Sequence, residues 1–282
     1  MVRNLFRRSI QLNKRDERWE NVMIKDIEGL VDEVVQKIRS HMDLAVLGMS
    51  GGADSTLCAI LCRKALGAEQ VFSLHMPYGQ RDEEFFNARS RKTAQALGIN
   101  IMEMPVTAVS DAIQEGVTKV MGEISQLNAG NCRSRARMTF LYGVCHEIGD
   151  RKKLRARVVG TGNLSEDAIG FDTKGGDALC DVFIIGELFK SEVYQLLDYF
   201  RDQGEIDESM IDRVPSPGLW DGHTDEEELG MSYNEMEPSV RKVILNGQKP
   251  EGTTDIFVHN RHQRNKHKHE APAVVKLRQF CD

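Results

Sequence analysis

The sequence predicts an α/β fold, a doubly wound and mostly parallel sheet flanked by helices, and three observations support this prediction. Short apolar runs at residues 44–49, 70–76, 100–104 and 155–160 have the length of buried strands. Amphipathic stretches with helical spacing lie between those runs. A glycine-rich turn joins the first run to a helix. Strands that alternate with helices form parallel sheets through right-handed crossovers, so a ligand site is expected at the carboxyl ends of the strands.

The helical pattern begins with residues 16–41, a long amphipathic segment that suits packing on its own sheet and a dimer interface equally well. Further helices are predicted over 56–66, 82–97, 106–120, 128–149 and 184–200, and from about residues 233 and 254. Asn131 is the expected cap of the helix over 128–149, and Lys190 lies near the start of the helix over 184–200.

Composition limits the possible classes of protein. The 282 residues are expected to form a single domain, 1–282, because no internal repeat or low-complexity tract divides them. The basic segment 1–15 lacks the apolar core of a signal peptide and is expected to be flexible. A net charge of −6 argues against nucleic acid as a partner, and no apolar run approaches a membrane span. Six scattered cysteines without a Cys-x-x-Cys pair indicate reduced thiols and a cytoplasmic location.

The turn after the first strand, Ser-Gly-Gly-Ala-Asp-Ser at residues 50–55, predicts a phosphate site. Unpaired N–H groups and the positive end of a helix dipole meet at such a turn. The two glycines let the backbone approach an anion, and the two serines add hydroxyl donors. Asp54 beside an anion site implies a cation such as Mg²⁺ between them.

Two other motifs are possible for this turn. It is not a Walker A loop, because Gly-Lys-Ser/Thr is missing. Residues 48–52 fit Gly-x-Ser-x-Gly, the nucleophile elbow of hydrolases. That fold needs strands and an oxyanion loop ahead of the elbow, whereas one helical segment precedes Leu44. The phosphate loop is therefore the favoured interpretation.

Glu166 is a second candidate metal ligand. It follows the apolar run 155–160 just as Asp54 follows the run 44–49, and both runs are predicted to end at the same edge of the sheet. Two carboxylates near a phosphate site could hold one Mg²⁺. Glu166 could equally stabilise the dipole of the helix that begins there, and the spacing alone does not decide.

Three polar segments are further candidates for the site. Arg133 and Arg137 share a helix face, where they could meet an anion, a partner's carboxylates or only solvent. The glycine-rich loop 169–181 carries lysine and aspartate, which are frequent in functional loops. Residues 213–228, with two prolines and an acidic run, are expected to form a mobile lid.

Residues 259–269 contain four of the eight histidines together with arginines and lysines. This composition fits a nucleic-acid arm, a metal-binding tract or a grip for phosphate or carboxylate. The spacing of the residues does not separate these possibilities.

Several landmarks follow one another in a characteristic order. They are Ser-Gly-Gly-Ala-Asp-Ser at 50–55, Gly-Asn to Arg-Met at 130–138, Gly-Thr-Gly-Asn to Glu at 160–166, Thr-Lys-Gly-Gly-Asp at 173–177, Asp-Glu to Tyr at 225–233 and His-Lys at 267–268. In this order they resemble ammonia-dependent NAD⁺ synthetase, over most of the chain. The first motif is shared by the Ser-Gly-Gly ATP pyrophosphatases, and the later ones are specific to NAD⁺ synthetases.

The resemblance implies an adenine nucleotide alpha hydrolase-like fold and a ligase reaction. ATP would adenylate the nicotinate carboxylate of deamido-NAD, and ammonia would then displace AMP to give NAD⁺, with pyrophosphate as the other product. The implied partners are ATP, deamido-NAD, ammonia, Mg²⁺ and a second copy of the chain in a homodimer. No glutaminase domain is expected, so free ammonia is the implied nitrogen donor.

The resemblance also implies roles for particular residues. Those that match ATP-binding positions are Gly48, Ser50, Gly51, Gly52, Asp54, Ser55, Thr161, Lys190 and the lid residue Ser216. Those that match deamido-NAD-binding positions are Arg137, Lys174, Asp177, His267 and Lys268, the last two in a C-terminal substrate-binding segment, 259–282. Asp54 and Glu166 match the Mg²⁺ ligands. The implied catalytic residues are Asp54, Asp177 and Lys190, with Asp177 as a candidate base for ammonium. His267 and Lys268 are expected to reach the site of the other subunit.

Three departures from the family pattern affect the substrate wall and the lid. Gly175 stands where the family usually has tyrosine, Pro217-Gly218 removes the usual lid carboxylate, and Ser134 replaces an alanine. Two alternative functions stay open. One is another Ser-Gly-Gly ATP pyrophosphatase, such as a GMP synthetase-like enzyme or a tRNA-modifying adenylator. The other is a catalytically inactive nucleotide-binding subunit.

Overall fold

A five-stranded, all-parallel sheet forms the centre of the molecule in the computed structural model, which describes residues 24–211 and 224–277 but not the side chains of 80–88. The strands are β1 Leu44–Gly48, β2 Val71–His75, β3 Asn100–Glu103, β4 Ala156–Gly160 and β5 Val182–Phe183, in the spatial order β3-β2-β1-β4-β5. The predicted doubly wound parallel sheet is confirmed. The strand order reverses between β1 and β4, and ligands bind at such a point in open α/β sheets.

Helices cover both faces of this sheet. In the described residues they are α1 Ile27–His41, α2 Ala53–Leu66, α3 Gly79–Leu97, α4 Thr107–Met121, α5 Gln126–Lys152, α6 Leu164–Asp167, α7 Lys190–Asp202, α8 Asp225–Leu229, α9 Tyr233–Ser239 and α10 Gly252–Asn265. A π-helical segment, Val240–Leu245, continues α9, and a 3₁₀ turn, Lys266–Lys268, continues α10. No described helix combines the length and the apolar character needed to cross a membrane.

Both faces of β1 are buried, which explains its uninterrupted apolar run. Leu44 and Val46 pack in a cluster with residues of α5, whereas Ala45 and Leu47 pack in a second cluster with α1, α2 and α7. The buried residues of α1 belong to this second cluster. The described part of the first helical segment therefore packs on its own sheet, which is one of its two predicted roles. Residues 16–23 of that segment lie outside the described residues.

Several predicted boundaries were wrong. The long arginine-bearing helix begins at Gln126, where the Ser125 hydroxyl accepts a hydrogen bond from the N–H of Asn128 at 3.2 Å. Asn131 is therefore an interior residue and not the cap, and Arg133 does not lie in the first turn. The poor helix former Gly130 is tolerated inside α5 because it is buried against the fold.

Two other boundaries differ for identifiable reasons. The helix predicted over 184–200 begins only at Lys190, because Ile184 and Ile185 pack in the core from the segment that follows β5 and imitate helical spacing. Strand β5 was not predicted, since two half-buried residues carry no detectable period. The predicted lid falls mostly on residues 212–223, outside the described residues, and its end is helical because Thr224 caps α8.

A third apolar cluster attaches α10 to the loop that follows β4. Ile169 in that loop packs with Tyr233 and Met236 of α9 and with Val258 of α10. The buried carboxylate of Asp255 strengthens this attachment, because it accepts hydrogen bonds from the Ser239 hydroxyl at 2.6 Å and the Lys242 ammonium at 2.7 Å. The C-terminal helix is thereby held beside the carboxyl ends of β1 and β4.

Candidate active site

The turn between β1 and α2 has the geometry expected of a phosphate loop. Gly51 adopts φ +72°, and a Cβ built there would lie 2.8 Å from the Cβ of Arg89, so glycine is required by both conformation and space. Gly52 caps α2 without a side-chain hydrogen bond, which leaves the first-turn N–H groups without a side-chain acceptor. Ser50 Oγ accepts from the N–H of Gly52 at 3.2 Å and lies 3.1 Å from Ser55 Oγ.

The two carboxylates predicted to share a cation lie at one point beside this turn. The Lys190 ammonium donates to Asp54 Oδ2 at 2.6 Å and to Glu166 Oε1 at 2.9 Å. Lys190 is only 4% exposed, whereas the carboxylates are 19% and 18% exposed. Asn163 orients Asp54 by donating to its Oδ1 at 3.0 Å. The predicted proximity of Asp54 and Glu166 is thus present, and it follows from the pairing of β1 with β4.

The electrostatics of this cluster favour cation binding. Burial raises the pKa of Glu166 to about 8, although Lys190 opposes the rise. Burial also acts to lower the pKa of Lys190, but Asp54 and Glu166 outweigh it and hold that pKa well above its ordinary value. One buried ammonium therefore serves two carboxyl groups, and the raised pKa shows that it does not fully stabilise the charged form of Glu166; a further cation would favour that form.

Two residues that were not predicted extend the cluster. The Tyr233 hydroxyl donates to Asp225 Oδ2 at 2.8 Å and lies 3.4 Å from Glu166 Oε1. Asp225 is 3% exposed, so a third carboxylate stands behind the first two. Both residues lie in the Asp-Glu to Tyr landmark at 225–233, so the sequence marked this segment as part of the family pattern. Their spacing gave no reason to place them near Glu166.

A single cavity of about 840 Å³ connects the turn with the predicted substrate residues. The predicted site residues that line it are Gly48, Ser50, Gly52, Asp54, Arg137, Thr161, Glu166, Asp177, Lys190 and Lys268. Four predicted residues do not line it, namely Gly51, Ser55, Lys174 and His267. Ser216 lies outside the described residues.

The far end of the cavity is built around Asp177. Its Oδ1 accepts from the Ser134 hydroxyl at 2.6 Å and from the N–H of Thr173 at 3.0 Å. Burial raises the pKa of Asp177, and the hydrogen bond from Ser134 acts against that rise. Ser134, which departs from the family pattern, is therefore a direct partner of the candidate base. Gly175 adopts φ +74°, a conformation that favours glycine over the usual tyrosine.

The other predicted substrate residues are held by backbone carbonyls. Arg137 Nε donates to the carbonyl of Met76 at 3.0 Å. The Lys268 ammonium donates to the carbonyls of Gly170 and Asp172 at 2.7 and 2.6 Å and lines the cavity of its own chain, and its expected contact with the other subunit stays a prediction. Lys174 donates to the carbonyl of His267 and is drawn away from the cavity. For His267 the cross-subunit contact stays a prediction.

A further titratable group lies beside Lys268 and was not predicted. His269 Nε2 lies 2.5 Å from Asp172 Oδ2, and this contact raises the pKa of His269. Asp167 lies close to both, and burial raises its pKa to about 7. The partners come from distant parts of the sequence, so no local pattern could have indicated their meeting.

Comparison with known proteins identifies the family. The family model described as NAD synthase matches residues 23–272. The chain belongs to the NAD synthase family. An NH(3)-dependent NAD(+) synthetase of Methanosarcina mazei is 34% identical over 266 residues, which are 89% of this chain and 99% of that protein.

Solved structures of NAD synthases and a related enzyme share this architecture. The NH3-dependent NAD synthetase of Campylobacter jejuni, solved with a nitrate ion, has a TM-score of 0.65 and 26% identity and covers 90% of this chain and 100% of its own. An NMN synthetase of Francisella tularensis has a TM-score of 0.73 over 90% of this chain and 100% of its own. At 23% identity, the second likeness supports the fold alone.

Proposed function

We propose that this chain catalyses the ATP-dependent amidation of deamido-NAD by ammonia. The nicotinate carboxylate oxygen attacks the α-phosphorus of ATP and pyrophosphate leaves. Ammonia then attacks the acyl carbon, loses a proton, and AMP leaves to give NAD⁺. The observation that supports this proposal best is that Asp54, Glu166 and Lys190 open onto the same cavity as Asp177 and Lys268, in a chain of the NAD synthase family.

The β1–α2 turn is the proposed site of the ATP phosphates. The first-turn N–H groups of α2, the Ser50 hydroxyl and the Lys190 ammonium are donors suited to phosphate oxygens. Thr161, at the end of β4, lines the cavity beside them and adds a further hydroxyl. Gly51 and Ser55 support this site from behind, since Gly51 packs on Arg89 and the Ser55 hydroxyl contacts Ser50.

Mg²⁺ is the proposed cation of this site, and Asp54 and Glu166 would hold it. Their carboxylate oxygens are the hard ligands that Mg²⁺ prefers, and they already converge on one cationic group, the Lys190 ammonium. When bound, Mg²⁺ neutralises charge on the phosphates. The protein's own contribution is to keep the two carboxylates oriented through Asn163 and Tyr233.

Asp177 is the proposed base for ammonium. A carboxylate with a raised pKa is a better proton acceptor than an ordinary aspartate, and the Ser134 and Thr173 donors fix its orientation. Arg137 and Lys268 are proposed to bind the deamido-NAD substrate, and both line the cavity. Lys174 and His267 are proposed to contribute once the substrate or a second subunit rearranges their mutual hydrogen bond.

A homodimer is part of this proposal. The end of α4 carries exposed apolar side chains, with Val120 and Met121 at 81% and 72% exposure, and the exposed Leu127 at the start of α5 lines the cavity. We expect Val120→Asp to shift the mass in solution from dimer to monomer in light scattering. Leu245→Asp, an exposed apolar position elsewhere, is the matched control and should leave the mass unchanged.

The reaction can be tested directly with the purified chain. We expect ATP, Mg²⁺, deamido-NAD and ammonium together to give NAD⁺, AMP and pyrophosphate, identified by mass. AMP release without deamido-NAD would indicate a plain ATP pyrophosphatase, and ATP binding without any turnover would indicate an inactive nucleotide-binding subunit. A parallel reaction with the mononucleotide form of the acid measures how far the cavity requires the second nucleotide.

A further inference from the structure

Two arginines of α10 stand out among the cations of the cavity. The cationic side chains that line it in the described part of the chain are Arg137, Lys190, Arg261, Arg264 and Lys268. Arg137, Lys190 and Lys268 are held by hydrogen bonds to carbonyls or carboxylates. Within residues 24–211 and 224–277, the guanidinium groups of Arg261 and Arg264 have neither a hydrogen bond nor an ion pair.

Arg261 is the more unusual of the two because it is half-buried. Its guanidinium lies 5.7 Å from the ring centre of Phe171 and 5.8 Å from that of Phe257. Burial lowers the pKa of Arg261, as expected for a cation that is removed from water without a paired anion. The ring faces recover part of this cost, but they leave the N–H donors of the guanidinium unused.

Arg264 lies one turn further along α10 and increases the local positive charge. The positive charge of Arg264 acts to lower the pKa of Arg261. The negative charge of Glu228 acts to raise that pKa, from beyond ion-pair distance. A cation in the last turn of a helix is stabilised by the helix dipole, which accounts for the position of Arg264. The dipole does not account for Arg261, which lies a turn earlier and is partly removed from water.

The stretch of α10 that carries the two arginines is held in place by its neighbours. The ring Nδ1 of His262 lies 2.7 Å from the carbonyl of Ala168, and Asn265 Nδ2 donates to the carbonyl of Ile169 at 3.0 Å. These contacts hold the face of α10 against the loop that follows Glu166. Side chains three residues apart on a helix have Cβ atoms about 5–6 Å from each other, a span that suits two linked phosphate groups.

We propose that Arg261 and Arg264 form a subsite that binds a diphosphate group. The proposal rests on the proposed function, in which ATP and deamido-NAD both carry such a group. Guanidinium groups bind phosphate oxygens through paired, charge-assisted hydrogen bonds, and an anion placed between two mutually repelling cations relieves their repulsion. The subsite lines the same cavity as the serine–glycine turn and would add a second phosphate-binding site to it.

The test is a binding measurement with Arg261→Gln and Arg264→Gln, by calorimetry with inorganic pyrophosphate, Mg²⁺-ATP and deamido-NAD in turn. We expect at least about tenfold weaker binding of pyrophosphate and of one nucleotide. Weaker binding of ATP assigns the subsite to its outer phosphates, and weaker binding of deamido-NAD assigns it to the dinucleotide. Arg151→Gln, on the exposed end of α5, is the matched control and should bind all three ligands normally.

Unchanged affinity for all three ligands in both variants would overturn the proposal. Arg264 is exposed, so Arg264→Gln stays a valid test if loss of Arg261 unfolds the chain, which melting curves would reveal. Arg261→Lys keeps the charge but not the paired donors, and it should recover only part of the affinity. Because pyrophosphate binding needs no turnover, a wild-type chain that makes no NAD⁺ would refute the proposed function while leaving this measurement intact.

Discussion

The substitution Asp54→Asn tests the assignment of the carboxylate cluster. The amide has nearly the shape of the carboxylate, and its oxygen can still accept the hydrogen bond that Asn163 donates at 3.0 Å. What it loses is one negative charge beside the Lys190 ammonium, at 2.6 Å. If Asp54 helps to hold the cation that binds the ATP phosphates, this loss should slow the reaction even in chains that stay folded.

The expected magnitudes follow from the distances. Asp54 and Glu166 contact Lys190 Nζ at 2.6 and 2.9 Å, so their bonded oxygens are at most about 5.5 Å apart. Two like charges at about that distance repel by about 3 kcal/mol at an effective dielectric constant of about 20. By the same rule the lost attraction to Lys190 at 2.6 Å is about 6 kcal/mol, so relief of the repulsion offsets about half of it and the free energy of unfolding should fall by no more than about 3 kcal/mol.

Catalysis has no such compensation, because one of the two acidic ligands disappears. We expect kcat/KM for NAD⁺ formation to fall by about 10²–10³, the usual effect of removing one electrostatic contact to the transition state. Mass spectrometry of AMP and NAD⁺ gives the rate, and urea unfolding gives the stability. Near-normal turnover in Asp54→Asn would refute the metal assignment, and a collapse of stability would show that the cluster is mainly structural.

Three more substitutions probe other parts of the site. Ser134→Ala removes a hydrogen-bond donor to Asp177 and should raise the pKa of that carboxyl further. The acidic limb of the kcat–pH profile should therefore move to higher pH, and an unmoved limb would contradict the assignment of Asp177 as the base. Gly51→Ala should cost about 1–2 kcal/mol for its φ of +72° alone and weaken ATP binding, whereas Gly143→Ala, with open space around its Cβ, should not lower the melting temperature. The pKa of Asp255 is lowered from 3.8 to about 2, so this carboxylate should stabilise the fold above pH 4 and lose this effect as the pH falls through 2. In urea unfolding, Asp255→Asn should therefore have a lower free energy of unfolding than wild type at pH 7, and the two values should converge at low pH.

The part of the site that could be predicted is the part that a parallel sheet dictates. Asp54 and Glu166 follow β1 and β4, and these strands are neighbours, so the carboxyl ends of the two strands bring the residues together. Glycine at position 51 was predictable from the turn it must make. Here local pattern and global topology point to the same arrangement.

The remainder depends on contacts between distant segments, which a single sequence does not reveal. Nothing near Lys190 indicated that its ammonium would lie between two carboxylates, and nothing near Asp172 indicated His269 as its partner. Helix boundaries failed where burial overrode propensity, as at Gly130, which an apolar environment allows inside α5. The orientation of Lys268 toward its own chain is likewise a tertiary result.

The segment 168–172 connects the carboxylate cluster to the C-terminal helix. Its backbone carbonyls contact His262, Asn265 and Lys268, and Glu166 lies two residues before its first residue. We therefore expect a shift of the C-terminal helix to change the spacing of the acidic residues. If binding at one of these sites changes the affinity of the other, thermodynamic reciprocity requires the reverse effect to have the same factor.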